Sequence, residues 1–81
     1  MNAQEVLAKM QELIAEQFAM DESEISMETS FEEDLGADSV DLVELVMAME
    51  EEFDIGEVEE DDLGDMKTVG DCVNYLAAKL K

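Results

Sequence analysis

Apolar residues fall into three runs with helical spacing, separated by stretches where that spacing is lost. In the first, Val6, Met10, Leu13, Ile14 and Phe18 recur every three or four positions, with Glu5, Lys9, Glu12 and Glu16 on the other side. The second is Leu42, Leu45, Val46, Met49 and Phe53, with Asp41, Glu44, Ala48 and Glu51 broadly opposite. The third is Val69, Cys72, Val73, Leu76 and Leu80. Each run is expected to be an amphipathic helix.

Start and stop signals sharpen the boundaries. Gly36 loosens the chain before the second run, and Asp38 can cap it, which places Ser39 in the first helical position. Thr68 opens the third run, and Lys79 and Lys81 suit its carboxyl end, where the helix dipole favours cations. Glu50–Glu52 sit at the carboxyl end of the second, where the same dipole disfavours them, so a role other than helix stability is expected there. The segment MDESEISMETSFEEDLGAD breaks the period and reads as a long ordered loop anchored by Ile25 and Phe31. DIGEVEEDDLGDMK is a connector with room for one short helix around Val58–Leu63, kept weak or brief by Gly64. No repeat and no strand pattern stand out. The expected fold is all-α: a small bundle of three main helices plus one short helix, with a long loop between helices one and two, in a single domain over residues 1–81.

Composition supports helices, since the 81 residues include no proline, few glycines and 47% apolar residues, enough for a small core. Charge changes the picture more. Four lysines stand against 24 acidic residues, for a net charge of −20, and no basic residue occurs between Lys9 and Lys67. Such a surface repels nucleic acid and anionic lipid and attracts basic proteins and divalent cations. No stretch is apolar enough for a membrane span, and no signal or transit peptide is visible at the N-terminus. The single cysteine, Cys72, excludes an internal disulfide and fits a reducing, cytoplasmic setting.

Candidate chemistry is narrow. With no histidine a Ser-His-Asp arrangement is impossible, and GADSV is not the Gly-x-Ser-x-Gly turn of hydrolases. Asp38 and Asp41, at an exposed helix start, are too weak as bases to activate the hydroxyl between them. None of the glycines fits a calcium loop of the EF-hand kind, so no specific metal site is expected, only diffuse weak binding of Mg²⁺ or Ca²⁺. Cys72 has no basic neighbour to lower its pKa and reads as a small buried hydrophobe, and the seven methionines as adaptable core filler and an initiator. Ser39 remains: a hydroxyl at the positive end of a helix, suited to carry a covalently attached phosphodiester. Its activation must come from outside the chain.

The segment EEDLGADSVDLVELVMAMEEEFDI closely resembles the prosthetic-group segment of acyl carrier proteins, and IAEQFAMDESEISMETSF and MKTVGDCVNYL resemble that family's first helix, loop and last helix. The resemblance covers nearly the whole chain. It implies a free-standing monomeric carrier with no catalytic activity of its own, serving fatty-acid, polyketide or related acyl biosynthesis. Ser39 would carry 4′-phosphopantetheine, installed from coenzyme A with Mg²⁺ by a separate phosphopantetheinyl transferase (holo-carrier-protein synthase). Asp38, Val40, Asp41, Glu44, Met47, Glu50 and Glu51 match positions that meet basic patches on transferases, acyl transferases and ketosynthases. The resemblance also implies a pocket for the acyl chain, assigned to Phe31, Leu45, Met49 and Val58 with Leu63, Met66, Cys72 and Tyr75. Val40 replaces the Leu usual after the serine, Glu32 stands where an apolar residue is frequent, and the connector is one residue longer and lacks its proline. These departures bear on which enzymes the carrier serves and leave a polyketide or aminoacyl role open. A reading of a different class is an acidic, cation-binding interaction protein without a prosthetic group.

Overall fold

The structure, a computed structural model, describes residues 2–80. Lys81, expected at the carboxyl end of the last helix, lies outside them. Four helices follow in order: α1 (Ala3–Phe18), α2 (Ser39–Phe53), α3 (Glu60–Leu63) and α4 (Val69–Lys79). A single 3-10 turn, Glu22–Glu24, interrupts the long segment between α1 and α2. Among the described residues there is no strand, only an isolated antiparallel bridge between Ser30 and Thr68. The fold is all-α, as the spacing implied.

The three long helices all begin with the same local device. Asn2, Asp38 and Thr68 each accept a hydrogen bond from the N–H three residues on, and Glu5, Asp41 and Asp71 each reach back to the cap's own N–H. Two donors that a helix start leaves unpaired are thereby satisfied at each end. α1 then packs against both α4 and α2. It presents Val6, Met10 and Ile14, and α4 presents Val69, Cys72, Val73 and Leu76; all are at most 2% exposed. Leu45, Val46, Met49 and Phe53 of α2 complete the core. Leu13, Phe18, Leu42 and Leu80, from the same stripes, are half-buried at its margin.

The long loop is ordered by backbone pairing rather than by secondary structure. Ile25 is buried and its carbonyl accepts from the Gln11 amide (2.7 Å). The N–H of Gly70 donates to Met27 O (2.8 Å), that of Val69 to Thr29 O (2.9 Å), and that of Phe31 to Lys67 O (3.1 Å). The loop is thus laced to the start of α4. Gly70 permits this approach: a Cβ there would stand 2.8 Å from Met27 O. Phe31 is buried, and its carbonyl takes the N–H of Ala37 (2.7 Å), folding the chain back just before α2.

The connector departs from expectation at one end. α3 begins at Glu60, not Val58: its first turn closes on the carbonyl of Glu59, which accepts from the N–H of Asp62 (3.1 Å) and Leu63 (3.2 Å), while Val58 before it is buried and donates its N–H to Glu50 Oε2 (2.6 Å). Two of the three carboxylates at the end of α2 therefore have local partners despite the dipole, and Glu51 is exposed. Glu50 pins the connector, and Glu52 pairs with Lys9 of α1 at 3.2 Å.

Candidate functional site

The site is built on the first turn of α2. Asp38 has the extended backbone of a cap, its Oδ1 accepts from the N–H of Asp41 (2.9 Å), and Asp41 Oδ2 accepts from the N–H of Asp38 (3.2 Å). Gln17 of α1 donates to the carbonyl of Asp41 (2.7 Å), fixing this turn to the core. Both carboxylates are thus engaged with backbone, and neither acts on the serine between them. Ser39 is exposed at the first helical position, and its hydroxyl makes no hydrogen bond to another described residue. A serine so placed lacks a base and an internal competitor for its lone pairs. Chemically it can be reached and modified, and it cannot activate itself.

Ser39 stands on the rim of a cleft of about 450 Å³ between α2, the end of the long loop and the segment after α3. Glu32, Glu33, Asp38 and Lys67 are its charged lining residues, and Phe31, Leu42, Leu63 and Met66 supply apolar surface. Of the residues assigned to an acyl pocket, Phe31, Leu63 and Met66 meet here with Ser39. The other five do not line this cleft. Leu45, Met49 and Cys72 are packed into the core, and Val58 is buried under the connector. Tyr75 is half-buried and donates its hydroxyl to Asp62 Oδ2 (3.0 Å), tying α4 to α3. Burial pushes the Cys72 thiol up to about 12, with Asp71 adding to the effect, so this sulfur is no nucleophile at neutral pH.

Along the outer face of α2, Val40 (62% exposed), Val43 (48%) and Met47 (61%) form an apolar strip at positions i, i+3 and i+7. Glu44 and Glu51 are exposed beside it. Val40, Glu44, Met47 and Glu51 therefore lie on one accessible face. Asp41 and Glu50 are half-buried and turned to backbone partners. Val43 went unassigned in the sequence, although its helical offset from Val40 and Met47 was a readable signal for a second apolar strip. Ala37, Leu42 and Lys67 in the cleft were also missed; Ala37 and Leu42 are neighbours of Ser39 along the chain, whereas the pairing of the loop with the start of α4 brings Lys67 there.

Comparison with known proteins gives a consistent answer. Residues 8–76 match the family described as the phosphopantetheine attachment site. The chain is 52% identical over 73 residues to the acyl carrier protein of Clostridium acetobutylicum, covering 90% of this chain and 94% of that protein. It is 47% identical over 75 residues to the acyl carrier protein of Trieres chinensis, covering 93% and 92%. Among solved structures, the acyl carrier protein of Enterococcus faecalis, described as having high thermal stability, superposes with a TM-score of 0.80 at 30% identity, over 98% of this chain and 99% of that one.

Proposed function

This chain belongs to the acyl carrier protein family, and from that premise we propose that Ser39 is the attachment point of its 4′-phosphopantetheine. The protein is a non-catalytic carrier. When bound, the prosthetic group supplies a flexible arm ending in a thiol that holds acyl groups as thioesters. The residues fit such a group: an exposed, unengaged hydroxyl at the rim, and beside it a cleft with apolar surface from Leu42, Leu63 and Met66. The observation that carries the reading is the placement of Ser39, presented outward by a capped, anchored helix start with no group in the chain to activate it. A separate transferase using coenzyme A and Mg²⁺ would supply the chemistry.

The finer reading is a single carrier domain over residues 1–81, acting in the cytoplasm in fatty-acid biosynthesis, with a dedicated polyketide or aminoacyl pathway as the alternative. Its partners would be the transferase and acyl-processing synthases that meet the face of Val40, Val43, Glu44, Met47 and Glu51 with basic surfaces, steered by the net charge of −20. Incubation with coenzyme A, Mg²⁺ and a broad-specificity transferase should add one phosphopantetheine by intact mass, and Ser39→Ala should add none. Addition to Ser39→Ala would overturn the site. No addition to the parent would favour an acidic cation-binding protein without a prosthetic group.

A further inference from the structure

The four lysines are not equivalent. Lys9 pairs with Glu52 and Glu12, Lys79 stands over the Tyr75 ring at 5.5 Å, and Lys81 is outside the described residues. Lys67 is exposed and has no carboxylate within ion-pair distance among the described residues. Among the described residues it is also the only cation lining the Ser39 cleft, whose other charged residues are Glu32, Glu33 and Asp38. Its main chain is held on both sides: the carbonyl accepts from Phe31, and the N–H donates to Asp71 Oδ2 (3.0 Å). The carboxylate of Asp71 accepts that N–H and the N–H of Thr68 (3.1 Å), and the charge of Lys67 helps to keep it ionised from beyond ion-pair distance. The root of the side chain is therefore fixed beside the cleft.

We propose that Lys67 is the counter-ion for the phosphodiester of the prosthetic group and draws the arm to the Leu63–Met66 side of the cleft. This rests on the reading that Ser39 carries the group. A phosphodiester adds an anion to a chain already at −20, in a cleft whose lining includes the carboxylates of Glu32, Glu33 and Asp38. Of the charged groups that line the cleft, Lys67 attracts that anion while Glu32, Glu33 and Asp38 repel it, so its favoured position is beside Lys67. Leu63 and Met66 then offer apolar cover to the part of the arm beyond the phosphate.

The test uses the holo chain with a spin label on the terminal thiol of the arm. Cys72 is 2% exposed, so the apo chain provides the labelling blank. Paramagnetic broadening of backbone amides should concentrate at Leu63–Lys67 in the parent. In Lys67→Gln it should fall there by roughly two- to fivefold at low salt, the range for one exposed charge pair. Lys67→Arg should restore it, and raising the ionic strength should weaken it in the parent. The ³¹P resonance of the holo chain should shift in Lys67→Gln and return in Lys67→Arg. Intact mass keeps the two readings apart. A missing prosthetic group would overturn the Ser39 assignment, whereas full loading with the same broadening and ³¹P shift in Lys67→Gln would overturn the role of Lys67 alone.

Discussion

α1 and α4 bury their apolar residues; α2 buries one strip and exposes another. On α1 and α4 the fully buried residues include Met10, Ile14, Val73 and Leu76, held by two long, capped helices in direct contact. α2 contributes Leu45 and Met49 to the same core but leaves Val40, Val43 and Met47 to solvent. Its neighbour α3 has only four residues, too few to be stable as a helix without its contacts. The difference teaches how so small a domain can divide its tasks. One half supplies the burial that stabilises it, and the other keeps apolar and acidic groups on display, at some cost in solubility, for the docking proposed above.

The largest expected effect breaks this comparison most directly. Leu76→Ala should destabilise the protein by about 2–5 kcal/mol in a urea titration, as buried Leu-to-Ala changes do. Met47→Ala should stay within about 0.5 kcal/mol of the parent, as surface changes do. The order should reverse when the rate of prosthetic-group transfer is measured below the unfolding transition. There Met47→Ala should be slower than the parent, and Glu44→Lys slower still, with a loss that added salt compresses. Glu44 is a cleaner probe than Asp41, whose reversal would also remove the α2 capping box. Equal destabilisation by Leu76→Ala and Met47→Ala, or transfer rates indifferent to both α2 changes, would erase the division.

A smaller effect sharpens the boundary between the halves. Glu50 lies on the helix proposed for docking, yet its carboxylate holds Val58 at 2.6 Å. Glu50→Ala removes a charge-assisted hydrogen bond to a half-buried site and should cost about 1–2 kcal/mol, with faster hydrogen exchange at the Val58 amide. Glu50→Gln relieves the same charge but keeps an acceptor, and should lose about half as much. If both variants match the parent in stability and in exchange at Val58, Glu50 belongs wholly to the surface and the latch is immaterial.

Legibility in the sequence followed the range of the interactions. The starts of α2 at Ser39 and α4 at Val69 could be read because a cap and the residue three positions on are neighbours in the chain. The buried strips could be read because period carries burial, as Val6, Met10 and Ile14 show. Ser39 was found through its flanking pattern, and the structure adds that its hydroxyl is exposed on the rim of a cleft. What could not be read depends on contacts between distant segments. The Glu50–Val58 bond ties the connector to α2, and pairing of residues 27–31 with 67–70 brings Lys67 to the cleft that Ser39 lines. Helical period put Leu45, Met49 and Cys72 on apolar strips, but period does not say whether such residues leave space between them. Here all three are packed into the core.

The smallest expected effect returns to the stabilising half and is visible only as a function of pH. Asp71 Oδ2 accepts from the N–H of Thr68 and of Lys67, and these bonds, Thr68 first, hold its carboxyl below the ordinary value of 3.8. A carboxyl depressed on folding adds stability above its unfolded pKa and loses it as pH falls through the lower folded value. Asp71→Asn should therefore be less stable than the parent at pH 7, by about 0.5 kcal/mol, since the group is exposed and screened by solvent. The gap should hold down to about pH 4 and close below it, where the protonated carboxyl of the parent and the amide of the variant are nearly alike. The difference between the two proteins is the quantity to follow. The parent's own stability responds to 24 acidic residues whose mutual repulsion is relieved on acidification, an effect of opposite sign common to both chains. Subtracting the variant removes that shared background. A gap that is flat from pH 7 to pH 2, or that widens toward acid, would show that the Asp71 bonds do not stabilise the start of α4 as ionised contacts.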